Sequence, residues 1–274
     1  MSLGFSLPRS SNLPTMSESI LTSFSGGVLT VSLNRPDVYN SFNQEMGRAF
    51  QSALDHAASD DRVRCVVITG NGRAFCAGQD LKEVTSEASP GFKVIVEETY
   101  NRSIRRICDM EKPVIAAVNG VAAGAGANIA LACDFVVAKS SAKFIQAFVN
   151  IGLIPDSGGT YWLPRLVGMA RAKALTMLGM PLAAEEAQNM GLIHHAVADD
   201  EWESAVEALA HKLANMPTLG LGLTKRALLA SASNTLHEQL ALELDLQFQA
   251  AESDDYAEGV GAFLEKRPAK FTGK

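Results

Sequence analysis

The chain has 274 residues, 47% of them hydrophobic and 20% charged, and a formal net charge of −6. That balance belongs to an ordinary globular interior, arranged as one large domain or one domain with an appendage. It argues against a nucleic-acid partner, and it means that an anionic ligand would have to be held by local groups rather than by the overall field.

Cys65, Cys76, Cys108 and Cys133 show no C-x-x-C pairing and sit among apolar residues, so they read as reduced core thiols rather than a disulfide framework or metal site. The five histidines lack metal-ligand spacing, and no metal is expected. No apolar run approaches the roughly 20 residues of a membrane span. Residues 1–14 lack the basic start and apolar centre of a secretory signal. The expectation is no membrane partner and a cytoplasmic location. Residues 1–15 read as an irregular leader or a remnant of expression, with Met16 as the natural start.

In chain order, Gly27 to Leu33 alternates, with Leu29, Val31 and Leu33 on one face, as in a half-buried strand. Asn34-Arg35-Pro36-Asp37 breaks it. Met46, Phe50, Ala53, Leu54 and Ala57 recur at helical spacing behind Asn43, a candidate N-cap. Val63 to Thr69 reads as a second strand, Arg73 to Leu81 as a loop after it, Glu83 to Gly91 as another loop, and Phe92 to Met110 as a long helix. Pro113 to Val118 and Phe135 to Ala138 are further strands. Between these two lie Asn119-Gly120, a turn signal, then Gly124-Ala125-Gly126, then a helix-like patch, Ala127, Ile129, Ala130 and Leu131.

From about Gly168 the pattern is mostly helical. Trp202, Ala205, Val206, Leu209 and Leu213 form one stripe, started by Asp199-Asp200. In Thr235 to Ala250, Leu236, Leu240, Leu244 and Phe248 share one face while Leu242 and Leu246 lie roughly opposite. A helix apolar on both sides needs cover on both, and a second subunit is a reasonable source. Ser253 starts a last helix that Pro268 limits, and Lys266 and Arg267 at its end suit the helix dipole.

Three motifs bear on chemistry. A tight strand-to-helix turn at Gly124 to Gly126 points free N–H groups outward where the helix dipole favours negative charge. The loop Phe75-Cys76-Ala77-Gly78-Gln79-Asp80-Leu81 has small residues that permit close backbone approach. Together two such turns can each offer one N–H to a single carbonyl oxygen, as acyl chemistry through an enolate requires. Asp156, in Ile154-Pro155-Asp156-Ser157-Gly158-Gly159-Thr160, is either a helix cap or a general acid/base in an apolar frame of Ile151, Leu153, Ile154 and Pro155. A dinucleotide fingerprint fails because Ile129 stands where the third glycine belongs. A serine nucleophile at Ser157 fails on context, with His56 as the only upstream histidine.

The segments F-C-A-G-Q-D-L, K-P-V-I-A-A-V-N-G-V-A-A-G-A-G and I-G-L-I-P-D-S-G-G-T together resemble the crotonase family, also called enoyl-CoA hydratase/isomerase. The resemblance implies an α/β fold, a spiral of ββα units over about residues 16–215, and a C-terminal helical trimerisation region over 216–274. It implies an acyl-CoA thioester as ligand, no cofactor beyond that coenzyme A, and a homotrimer or dimer of trimers. Its carbonyl would accept from the N–H groups of Gln79 and Ala125. Val38, Ala77, Asp80 and Leu81 match positions of the coenzyme A channel, and Phe263 and Lys266 match positions that close its nucleotide end, often across a subunit boundary. The two glutamates with which family hydratases activate water are replaced by Asn128 and Phe148, which leaves an acyl pocket and Asp156 as the acid/base. That favours isomerisation over hydration. G-V-A-A-G-A-G-A, F-C-A-G-Q-D-L, G-L-I-P-D-S-G-G-T and the terminal F-T-G-K look most like the branch that converts ring-1,2-epoxyphenylacetyl-CoA to an oxepin-CoA. A true hydratase and a catalytically silent acyl-CoA binder are the alternatives.

Overall fold

The computed structural model describes residues 17–274, so the expected leader, residues 1–15, lies outside the described residues. The elements in order are β1 (Ile20–Ser25), β2 (Val28–Leu33), α1 (Gln44–Ser59), β3 (Cys65–Gly70), β4 (Ala74–Cys76) and α2 (Leu81–Val84). There follow α3 (Phe92–Val94), a π-helical stretch (Ile95–Asn101), α4 (Arg102–Asp109), β5 (Val114–Val118), β6 (Val121–Ala123), α5 (Ala125–Leu131), β7 (Phe135–Lys139) and β8 (Lys143–Ile145). The rest is α6 (Gly159–Leu178), β9 (Leu182–Ala183), α7 (Ala184–Asn189), β10 (His195–Val197), α8 (Trp202–Ala214), α9 (Thr218–Ala230), α10 (Leu236–Ala251) and α11 (Asp254–Glu265).

The strands form two sheets. One has the order β1-β2-β3-β5-β7-β10 and the other β4-β6-β8-β9. Apart from β1–β2 and β8–β9 the pairings are parallel. Successive strands alternate between the sheets: β3 then β4, β5 then β6, β7 then β8, each pair followed by helix. The chain is therefore a spiral of strand, strand, helix, with a helical C-terminal region.

The larger sheet is buried on both faces, so its strands read as near-continuous apolar runs. Val66, Ile68, Val114, Ala116 and Val118 belong to one buried cluster with Met46, Phe50 and Leu54 of α1. The alternate residues, Cys65, Val67, Ile115 and Ala117, face α8 and its Trp202, Val206 and Leu213. Asn43 caps α1 by accepting from Met46 N at 2.9 Å. Thr235 and Glu238 make a reciprocal capping box at the start of α10, and Ser253 caps α11.

Three expectations are corrected. The stretch after Gly70 is not wholly loop, because Ala74–Cys76 forms β4 and pairs with β6. Glu83 does not open a loop but lies in α2. Asp199 does not start α8. It accepts from Ser141 N at 3.1 Å and Ser141 Oγ at 2.5 Å, while Glu201 precedes the helix. The four cysteines are free thiols. Among the described residues no helix is long and apolar enough to cross a membrane.

Candidate active site

The site begins with the second sheet, where β4 and β6 run parallel and end side by side. Past β4 the chain turns through Gly78 (φ 91), and Phe42 forms a parallel bridge with Gln79. Phe42 N donates to Gly78 O at 2.7 Å, and Asp80 N donates to Phe42 O at 2.8 Å. Those flanking groups point at Phe42. In a parallel bridge the N–H of Gln79 itself then points away from Phe42.

Gly124 (φ 53, ψ −128) turns the chain from β6 into α5, in a backbone conformation that a side chain would strain. Gly124 N donates to Ile145 O at 2.9 Å, and Asn128 N donates to Gly124 O at 3.2 Å. Ala125 is the first helical residue, so its N–H has no acceptor within α5. A Cβ placed on Gly78 would stand 3.0 Å from Ala123 O and 3.5 Å from Ala125 N, so the two turns touch. α5 can approach β4 this closely because Gly126 has no side chain; a Cβ there would lie 2.7 Å from Cys76 Sγ. Two amides at the start of a helix can together take up an oxygen that gains negative charge.

α5 also holds the third piece. One turn after Ala125, Asn128 is fully buried. Its Nδ2 donates to Asp156 O at 2.8 Å, and its Oδ1 accepts from Gln146 Nε2 at 2.9 Å. Asn128 therefore braces the Asp156 turn from beneath and has no open surface to offer a ligand. Phe148 is also buried, and its ring lies 3.8 Å from the place of a Gly124 Cβ, against the same turn.

At Asp156 the chain reverses through two left-handed residues, Ser157 (φ 51) and Gly158 (φ 78), and Gly159 N donates to Asp156 O at 2.8 Å. The cap position of α6 falls to Gly158, with no side-chain bond, so Asp156 is not a helix cap. Its carboxylate accepts from Ser157 Oγ at 2.8 Å. Burial raises its pKa above the ordinary aspartate value, and the Ser157 bond offsets part of that rise. Of the expected apolar frame, Ile151 is 56% and Ile154 80% exposed in this single chain.

Ala77 N donates to Tyr39 O at 3.0 Å, one residue past Val38. Asp80 caps α2 through Lys82 N and accepts from Arg35 Nη2 at 2.9 Å. Leu81 is exposed beside it. Phe263 and Lys266 sit apart, exposed at the end of α11, with Lys266 itself in the left-handed capping conformation. Two residues escaped the sequence reading. Tyr100 Oη donates to Gln79 Oε1 at 2.8 Å, and Glu83 Oε2 accepts from Gln79 Nε2 at 3.0 Å. Neither stands in a motif, and the periodicity of residues 92–110 gave no sign that the helix is irregular there.

The Enoyl-CoA hydratase/isomerase family model matches residues 23–274. The chain is 49% identical over 262 residues to the 1,2-epoxyphenylacetyl-CoA isomerase of Escherichia coli (strain K12), covering 94% of this chain and 100% of that one. It is 47% identical over 250 residues to the "probable enoyl-CoA hydratase" of Rhodobacter capsulatus, covering 91% and 96%. Among solved structures, an enoyl-CoA hydratase from Polaromonas sp. JS666 superposes with a TM-score of 0.86 at 35% identity, covering 92% of this chain and 99% of that one.

Proposed function

The chain belongs to the enoyl-CoA hydratase/isomerase family, and from that premise we propose that it isomerises a CoA thioester, with 2-(1,2-epoxy-1,2-dihydrophenyl)acetyl-CoA of phenylacetate breakdown as its substrate. It is an enzyme of that family acting on an acyl-CoA, whose coenzyme A is part of the substrate. The thioester oxygen accepts from the Gln79 and Ala125 N–H groups. The ring C–C bond shared with the epoxide breaks as the ring double bonds shift, which gives the oxepin; the ionised Asp156 carboxylate takes a proton from the carbon next to the thioester, and that electron pair moves into the enolate held by the two amides. Asp156 then returns the proton to a carbon further along the chain. The double bond shifts and nothing is added or lost. Each such amide is worth roughly 2.7–4 kcal/mol in the transition state.

The observation that carries this reading is the company of Asp156. The residues at the two matched glutamate positions are an amide, Asn128, engaged with Asp156 O and Gln146, and a phenyl ring, Phe148. Neither can activate water. The similarity to the Escherichia coli isomerase points the same way. Val38, Ala77, Asp80 and Leu81 would line the coenzyme A channel, with Phe263 and Lys266 closing its nucleotide end from a neighbouring subunit of a homotrimer or dimer of trimers.

The similarity to the Rhodobacter capsulatus protein keeps hydration as the second reading. Crotonyl-CoA separates the two: hydration destroys the absorbance of the conjugated thioester, while isomerisation toward C2 of a 3-enoyl-CoA creates it. Mass spectrometry of the products from a panel that includes the phenylacetyl-CoA epoxide identifies the acyl group. Asp156→Asn should bind acyl-CoA yet lose turnover by about 10²-fold or more. Near-normal turnover in that variant removes Asp156 from the mechanism, and binding without conversion of any panel member leaves an acyl-CoA binder.

A further inference from the structure

An oxyanion amide is a backbone group, so at that position the chemistry asks nothing of the side chain. Yet the Gln79 side chain is held at both ends. Its Oε1 accepts from Tyr100 Oη at 2.8 Å, and its Nε2 donates to Glu83 Oε2 at 3.0 Å and to Asp80 O at 3.3 Å. Glu83 is itself fixed, its other oxygen accepting from Gln44 N at 2.9 Å at the start of α1.

Tyr100 is placed there by a departure from helical geometry. Ile95 and Tyr100 are both 1% exposed. Five residues of α-helix turn through about 500°, which would put them about 140° apart. The stretch Ile95–Asn101 is π-helical instead, and its i→i+5 pattern brings both side chains inward. The Tyr100 ring then lies 6.0 Å, centroid to centroid, from Phe42, the residue whose backbone grips Gly78 O and Asp80 N on either side of Gln79. Tyr100 thus meets the Gln79 segment twice, once through the amide side chain and once through the strand that flanks it. Burial, with Cys76, Asp156, Glu83 and Asp80 close by, keeps the phenol protonated and so a donor.

We propose that Tyr100 is a positioning residue of the thioester site: with Glu83 holding the other end of the Gln79 amide, it fixes the direction in which the Gln79 N–H points. This rests on the reading of Gln79 as an oxyanion donor. The Tyr100 hydroxyl gives its proton to Gln79 and so has none to give the substrate. Its effect is on how strongly the thioester carbonyl is polarised, and that can be read directly.

The test is the infrared carbonyl band of a 13C-labelled 2-enoyl-CoA thioester bound to the full-length protein, measured alongside steady-state kinetics. The unaltered protein should lower the carbonyl frequency relative to free thioester. Tyr100→Phe, which keeps the ring, should lose much of that shift and about tenfold in kcat, with KM changed less than twofold. Gln79→Ala keeps the backbone amide and removes both anchors. It should reproduce the loss, and combining it with Tyr100→Phe should add nothing. If the unaltered protein shifts the band and both variants shift it equally, Tyr100 does not position the amide, whatever happens to stability. If Tyr100→Phe does not fold, Gln79→Ala decides alone. If the unaltered protein binds thioester without any shift, the oxyanion reading itself fails, and the Tyr100 assignment with it.

Discussion

Asp156 is held in two ways that pull against each other. Burial raises its pKa, which suits a proton carrier working nearer neutrality, and the same burial disfavours the ionised form in the folded chain. The sign follows. Between the unfolded value of about 3.9 and the raised folded value, the native state binds more protons than the unfolded one. Stability therefore falls as pH rises through that window and levels off above it. Asp156→Asn carries no such cost. Its urea midpoint relative to the unaltered protein should climb as pH goes from about 4 to about 7. In the unaltered protein kcat/KM should fall on the acid side with a midpoint above the ordinary aspartate value. A relative midpoint that does not change with pH would mean that the carboxyl titrates alike in both states. Asn128 gives a complementary case. Asn128→Asp keeps the shape but replaces the donor to Asp156 O with an oxygen. Asp156 O keeps its Gly159 N donor, so the cost is that of a carboxyl oxygen buried with no proton facing it, about 1–3 kcal/mol and more if it ionises, and urea unfolding should register it.

At the scale of elements, α5 unites the site, because its first amide and its Asn128 lie one turn apart. Ala125 stands at the first helical position, where proline is tolerated. Ala125→Pro should therefore keep the far-ultraviolet dichroism of the native fold while losing one oxyanion donor, and turnover should drop about 10²–10³-fold. Native dichroism with unchanged turnover would clear this amide of any role. What the residues disclose beforehand follows the length of each element. β3, β5 and β7 are legible because burial on two faces makes them near-continuous apolar runs, β2 because its apolar residues alternate, and α1 because Asn43 caps a clear stripe. β4, β6 and β8 have three residues each, too few to carry any period, so Ala74–Cys76 reads as loop. The turn at Gly124 and the carboxylate at Asp156 are legible from glycine and aspartate alone. The Tyr100–Gln79–Glu83 chain is not, because it depends on a π-turn that leaves helical periodicity almost intact and on a side chain beside a backbone that does the chemistry.

Among the described residues, α10 presents a row of exposed apolar side chains. On α10, Leu246 is 4% exposed against the chain's own α9 side, while Leu236, Leu240, Leu244 and Phe248 are 76%, 55%, 71% and 65% exposed. On α11, Phe263 is 83% and Leu264 73% exposed. Burying one such leucine is worth roughly 1.5–3 kcal/mol, so a row of them in water is a strong drive to associate. A negative net charge of 6 per chain opposes clumping but is too diffuse to cancel a dry patch of this kind. The proposed assembly places that row against another copy. Leu240→Glu with Leu244→Glu should leave the cores behind α1 and α8 untouched, since neither side chain reaches them, and should convert a three- or six-chain particle to single chains in light scattering. If Phe263 and Lys266 close the nucleotide end across that boundary, KM for acyl-CoA should rise in the same variant far more than kcat falls, because the amides and Asp156 all come from one chain. A particle of single chains before any substitution would take away the partner, and with it the account of why α10 is apolar on two sides.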